Sequence, residues 1–164
     1  MKRLSLSSFI LMSIMFLISS NSYSQSGNKV APFRITLCNG SVFKAEDLPL
    51  EKPIIIIYFS PECEECQKMT EGILKMMNDF KKASIAMVTY MPIEKVKPFV
   101  ARYSLNMYPN IYVGTEGSTF IVRYYYNITS FPFIALFNKN GDLVKSYYKN
   151  ENLDDLSSRL RSLW

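Results

Sequence analysis

Ile54-Ile55-Ile56-Ile57-Tyr58-Phe59-Ser60-Pro61-Glu62-Cys63-Glu64-Glu65-Cys66 carries the longest apolar run outside the first residues straight into two cysteines separated by two residues. Six consecutive isoleucine and aromatic positions read as a strand buried on both faces. Ser60-Pro61 then matches an N-cap followed by proline at the first helical position, which predicts a short turn and a helix. Cys63 thus falls at a helix N-terminus, where unpaired backbone N–H groups and the helix dipole favour a thiolate. The stretch reads as a site of dithiol chemistry.

Downstream, Met69, Ile73, Met76, Met77 and Phe80 recur at helical spacing, so the helix is expected over 62–82, with Gly72 as a candidate kink and the methionines as core filling. Upstream, the segments 33–37 and 41–44 flank Asn39-Gly40, the signature of a hairpin with a two-residue turn. Residues 85–90 and 110–113 read as strands, 93–103 as a helix whose regular part starts late because of Pro98, and 118–125 as a weakly signalled helix. Residues 133–137 and 143–148 read as a strand pair joined across Asn138-Lys139-Asn140-Gly141. Asn152 caps a last helix with Leu153, Leu156, Leu160 and Leu163 on one face. Alternating strands and helices, closed by an antiparallel pair, predict an α/β domain of three layers around a mixed sheet.

At 164 residues, 48% hydrophobic and 14% aromatic, the chain suits one domain with a substantial core. Residues 1–24 are set apart: Lys2 and Arg3 precede an apolar stretch, and Ser22-Tyr23-Ser24 offers small residues for signal peptidase. Cleavage is expected after about Ser24. An uncleaved membrane anchor is the alternative, but Ser7, Ser8 and Ser13 break the run well short of the roughly 20 apolar residues that spanning needs. A disordered lead over 25–30 and a domain over 31–164 complete the division. Removing Lys2 and Arg3 from the 19 basic residues leaves 17 against 14 acidic ones, a net charge too mild and too scattered for nucleic acid. Export, to the periplasm or beyond, puts the cysteines where a disulfide can persist. A bridge closing so short a loop adds little stability, which favours a redox role for the pair.

The chain resembles the thioredoxin-like superfamily, and within it the exported thiol-disulfide oxidoreductases of the TlpA and ResA type and their peroxiredoxin-like relatives. The resemblance rests on the hairpin through Asn39-Gly40, on residues 58–66 with both cysteines, on 103–109, and on 126–137 around Phe131-Pro132-Phe133. It implies a thioredoxin-like sandwich with an added N-terminal hairpin. It also implies that Pro132 is the family's cis-proline, presenting substrate backbone beside the cysteines together with the unusually bulky Phe131. By the same resemblance Cys63 is the nucleophile and Cys66 the resolving thiol, working on protein thiols or disulfides with a membrane or periplasmic redox partner and no organic cofactor. Several positions depart from the family: Glu62 replaces the usual tryptophan, Ile57 the buried acid of thioredoxins, and Met69 the active-site glutamate of ResA-like proteins. Glu71 is the nearest carboxylate on the helix.

Glu62, Glu64 and Glu65 surround the nucleophile with negative charge. At about 7 Å and an effective dielectric of 40 to 80, each would oppose a thiolate by about 0.6 to 1.2 kcal/mol. That is comparable with a helix-end benefit of about 0.3 to 1 kcal/mol, and it tilts the expectation toward a reductant or exchanger. A thiol peroxidase is the enzymatic alternative: Ser60 sits three residues before Cys63, although Pro53 is too far upstream and the arginine could be Arg102 or Arg123. A redox-inert binding module is the other. With no histidine and only Cys38 beyond the pair, the chain lacks the usual ligands for a metal site. Cys38 reads as a small buried hydrophobe rather than a third redox thiol.

Overall fold

The computed structural model describes residues 27–49, 51–149 and 152–164. The expected signal peptide and its cleavage point lie outside the described residues. Seven strands form one sheet in the order β2-β1-β5-β4-β3-β6-β7: β1 (Arg34–Leu37), β2 (Val42–Lys44), β3 (Ile54–Tyr58), β4 (Ser84–Thr89), β5 (Ile111–Thr115), β6 (Phe133–Phe137) and β7 (Leu143–Tyr148). The apolar run supplies the innermost element. β3 pairs in parallel with β4, Ile54 opposite Ser84 through Tyr58 opposite Val88, and antiparallel with β6, Ile54 opposite Phe137 through Tyr58 opposite Phe133.

Side chains alternate across a strand, so consecutive residues of β3 enter different cores. Ile55, Ile57 and Phe59 face a layer made by α1 (Glu64–Lys75), α2 (Met77–Phe80), α3 (Ile93–Arg102) and α5 (Leu153–Ser162), through residues including Met69, Phe80, Phe99 and Leu156. Ile56 and Tyr58 face the other layer, where α4 (Ile121–Tyr125) contributes Val122 and the hairpin contributes Phe33, Ile35 and Phe43. The structure therefore has the expected α/β class, mixed sheet and three layers.

Local geometry corrects several expectations. The hairpin loop has three residues, not two: Leu37 N–H bonds to Ser41 O and Gly40 N–H to Leu37 O, both at 2.9 Å. Gly40 alone in this loop takes a positive φ, +84°, which gives a turn followed by a left-handed residue rather than a two-residue type I′ turn. The long helix is two. It breaks at Met76 (φ −100°, ψ 21°), not at Gly72. The break turns α2 so that Asp79 accepts hydrogen bonds from Ser157 at 2.6 Å and Arg161 at 2.7 Å on α5. Gly72 instead gives α5 room, since a Cβ there would lie 2.3 Å from Leu153 Cδ1. Helix α3 starts at Ile93, immediately after Pro92, and carries Pro98 inside it. The weak helix is a 3-10 turn (Gly117–Thr119) and the short α4, interrupted by Phe120 at φ 49°. The lead is tied down at its end: Lys29 forms a β-bridge and an ion pair with Asp142, and Tyr126 Oη accepts from Ala31 N–H and donates to Lys29 O.

Two close fits yield tests of stability. Gly114 opposes Leu37 of β1, and a Cβ there would sit 2.6 Å from the Thr36 carbonyl oxygen, a backbone atom that cannot swing away. Gly114→Ala is expected to cost about 1 to 3 kcal/mol by overpacking, read as a lower urea midpoint at unchanged slope. On α5, Arg159, Lys145 and Tyr147 all bond to the Asp155 carboxylate and hold its pKa well below the usual range. A depressed folded-state pKa contributes stability above the unfolded value of about 4 that is lost as pH falls through the folded one. Asp155→Asn should therefore lower the urea midpoint at pH 7, with the gap to the parent chain narrowing steadily as pH falls below about 4.

Candidate active site

The strand pairing assembles the site. Because Tyr58 opposes both Val88 and Phe133, the end of β3, the end of β4 and the start of β6 share one end of the sheet. The chain leaves β3 through Phe59, whose N–H bonds to Val88 O at 3.0 Å, and turns at residues 60–63 with Cys63 N–H on Ser60 O at 3.1 Å. Ser60 is not the N-cap. Its Oγ accepts from Glu62 N–H at 3.4 Å within the turn, and the cap is Cys63 itself. Cys63 Sγ accepts from Cys66 N–H at 3.4 Å. The capping atom of α1 is therefore a sulfur, aimed at a backbone donor of its partner cysteine. Cys63 is half-buried and Cys66 wholly buried, one turn into the helix. Pro61 O accepts from Gln67 Nε2 at 3.0 Å, bracing the turn from the second turn of α1.

The Phe131–Pro132 peptide is cis, as the resemblance implies. Pro132 is buried at the same sheet end, one residue before Phe133, and its carbonyl accepts from Lys149 N–H at 3.1 Å. Phe131 packs against both cores, its ring 5.7 Å from Tyr58 and 6.0 Å from Tyr90.

The three glutamates are placed around the nucleophile but do not act as three bare charges. Glu62 pairs with Lys95 at 2.8 Å, and Lys68 pairs with both Glu64 at 2.9 Å and Glu65 at 3.1 Å. Two lysines against three carboxylates, all well exposed, leave a local excess of one negative charge rather than three. Ile57 is fully buried, and Glu71 is exposed and accepts a hydrogen bond from Tyr103 Oη at 3.4 Å.

A buried acid does exist, where the sequence offers no pattern to find it. Glu116, just past β5, is 5% exposed, and its Oε2 accepts from Val122 N–H at 2.9 Å at the start of α4. Tyr58 Oη and Glu116 Oε1 each lack a hydrogen bond of normal geometry. Burial first, and the nearby Glu116 carboxylate second, push the Tyr58 phenol far above its ordinary range. Tyr58 lies on the layer opposite Cys66, which separates Glu116 from the buried cysteine by the thickness of the sheet.

Of the residues a peroxidase would use, Arg102 lines a cleft with Pro61 and Glu62 beside the cysteine turn, and each of them has a partner of its own. The Ser60 hydroxyl is turned to Glu62 N–H, Arg102 Nη1 to Gln67 at 3.4 Å, and Arg123 Nε to Ile128 O at 3.4 Å. Cys38 is separated from the cysteine turn sideways across the sheet: it follows Leu37 of β1, and β5 and β4 lie between β1 and β3. There it lines a cleft of about 280 Å³ with Val100, Leu105, Ile111 and Val113. Burial raises its thiol pKa, with Lys97 opposing.

A half-buried cysteine capping a helix, its buried partner one turn along, and a cis-proline loop at the same end of a mixed sheet together define a thiol-disulfide oxidoreductase fold. The chain belongs to the thioredoxin-like family: the family model for the thioredoxin-like domain matches residues 48–160, with the hairpin β1–β2 outside the matched region. Among solved structures it resembles a secreted disulfide oxidoreductase of Mycobacterium tuberculosis described as homologous to DsbE of E. coli, at 18% identity and TM-score 0.67 over 80% of this chain and 96% of the other. DsbF of the same organism, solved in mixed oxidized and reduced forms, gives 18% identity and TM-score 0.69 over 82% and 96%. An exposed lipoprotein thioredoxin of Streptococcus pneumoniae gives 20% identity and TM-score 0.59 over 80% and 98%. At these identities the likeness is one of fold. A curated relative from Medicago sativa, named "Probable protein disulfide-isomerase A6", is 26% identical over 68 residues, 42% of this chain and 19% of the relative, so the match spans about a fifth of that protein's length.

Cys66 is buried whereas Cys63 and Cys38 are both half-buried, and burial raises the Cys38 thiol pKa, which together predict the order of alkylation. After full reduction and a brief pulse of iodoacetamide at pH 7, peptide mapping is expected to find Cys63 modified at least about tenfold faster than Cys66 or Cys38. Equal labelling of Cys63 and Cys66 would contradict the geometry.

Proposed function

We propose that this chain is an exported thiol-disulfide oxidoreductase of the TlpA and ResA type that reduces or exchanges disulfides in partner proteins, with residues 31–164 acting as one domain after cleavage near Ser24. The observation that carries the reading is the asymmetry of the pair: Cys63 half-exposed at the helix cap, Cys66 fully buried behind it.

The chemistry follows from that asymmetry. The Cys63 thiolate attacks one sulfur of a partner disulfide, forming a mixed disulfide and expelling the partner's other sulfur as a thiolate that takes a proton from water. Cys66, shielded from the partner but next to Cys63, then loses its proton and attacks the Cys63 sulfur. The Cys63–Cys66 bond forms, the second partner thiolate leaves, and two electrons have passed from the dithiol to the partner. Reloading needs a second dithiol protein, run through the same steps in reverse. Phe131 and Pro132 form the surface on which the partner's backbone would lie. Export is supported by the amino-terminal residues, and among the described residues no helix is long and apolar enough to cross a membrane.

The direction is reduction or exchange. The support for this direction is the excess of one carboxylate over the two lysines at the cysteine turn, which disfavours further negative charge there.

Cys66→Ser should trap partners as mixed disulfides on Cys63 in the native host, while the parent chain catalyses insulin disulfide reduction. No trapped partner together with no insulin reductase activity overturns the proposal. The ion pair at the turn yields a second test of opposite signs. Glu62→Gln leaves Lys95 unpaired and should raise the reduction potential, whereas Lys95→Gln should lower it, each by roughly 10 to 25 mV in a glutathione equilibration. A potential for the parent chain near the strong oxidants, about −120 mV, rules out the assigned direction.

A further inference from the structure

The rings beside the proline loop continue into a path that the cysteine chemistry does not itself require. Phe131 stacks 6.0 Å from Tyr90, Tyr90 lies 5.8 Å from Phe120, and Phe120 meets Tyr124 edge-on at 6.1 Å. The path climbs out of the core: its first three rings are half-buried, and Tyr124 is 72% exposed. Rings that only filled the core would be covered at both ends.

The path is also held rigidly. Glu116 N–H bonds to Thr89 O at 2.8 Å, one residue before Tyr90, while the Glu116 side chain accepts from Val122 N–H at 2.9 Å in the short helix carrying Tyr124. One buried acid thus links the strand end that positions Tyr90 to the helix that positions Tyr124. Preplaced aromatic rings lose little conformational freedom on binding, which makes them efficient anchors for a partner.

We infer that this ladder selects partners: it seats an extended stretch of the partner protein that carries an aromatic or large apolar side chain near the attacked cysteine. The inference rests on the redox reading above, because Phe131 is both the first rung and the neighbour of Pro132, so the ladder continues directly from the surface where the partner's disulfide must lie. Three steps of about 6 Å reach at most about 18 Å, a distance spanned by about five residues of extended chain. The apolar side chain therefore belongs within that distance of the reacting cysteine.

Single-turnover reduction tests this on the full chain, reduced and freed of reductant. Two synthetic peptides are offered, each closed by an internal disulfide and differing only in Phe or Ser at a position about four residues from one cysteine. The Phe peptide is expected to react about tenfold faster, and Tyr124→Ala should bring the ratio of the two rates close to one. Tyr124 is exposed enough for this truncation to leave the fold intact, and a thermal melt by circular dichroism checks that it does. Equal rates for the two peptides with the parent chain overturn the inference, as does a preference that survives Tyr124→Ala. Bis(2-hydroxyethyl) disulfide, too small to touch the ladder, separates the two readings. If it reacts while the peptides are not distinguished, the ladder inference alone falls; if neither it nor the peptides react, the oxidoreductase proposal falls as well.

Discussion

The structure depends on the double pairing of β3. Its five residues hydrogen-bond in parallel to β4 on one side and antiparallel to β6 on the other, and Ile55 to Tyr58 are completely buried. Burying each such side chain stabilises the fold by about 1.5 to 3 kcal/mol, and a strand enclosed this way has no freedom of register, since a slip of one residue would exchange its two faces. That fixed register sets the end of β3 beside the start of β6. A cysteine turn and a proline loop, 66 residues apart from Cys66 to Pro132, are thereby brought to one end of the sheet.

From that fixed end the site is built out of helix-end physics. The turn over residues 60–63 delays the helix until Cys63, so the orphan N–H groups of the first turn meet a sulfur instead of the usual hydroxyl or carboxylate. The same delay leaves Glu64 and Glu65 in the first turn, where carboxylates suit the dipole, and one turn from Lys68, which balances them. Glu62 remains in the turn and finds Lys95 on α3. The electrostatic setting of the nucleophile is thus shared between α1, which the motif announces, and α3, which the motif does not mention.

The opposite layer serves positioning. Tyr58 and Phe131 pack ring against ring beneath the proline loop, and Glu116 joins the end of β4 to α4 through its backbone N–H on one side and its carboxylate on the other. An acid this deeply buried, with one oxygen lacking a normal hydrogen bond, is costly to keep and holds the loop geometry in return. It does not replace the acid that thioredoxins bury on the cysteine side, because the sheet lies between.

With the proline loop supplied by the family resemblance, the sequence by itself determined the class of the fold, both strands of the closing pair, the last helix and the cysteine pair. Each is written in a short local pattern: an apolar run, a two-residue spacing, a turn tetrapeptide, a leucine stripe capped by Asn152. Only the tertiary structure decided which residue caps the cysteine helix, that the helix breaks at Met76 rather than Gly72, that Lys68 and Lys95 offset the glutamates, and that Glu116, Tyr90 and Tyr124 belong with the site. The physical reason is common to all four. Caps, breaks, ion pairs across elements and buried acids are settled by what the neighbouring element offers, such as α5 against α2 or α3 against the cysteine turn, and a local pattern carries no record of that neighbour.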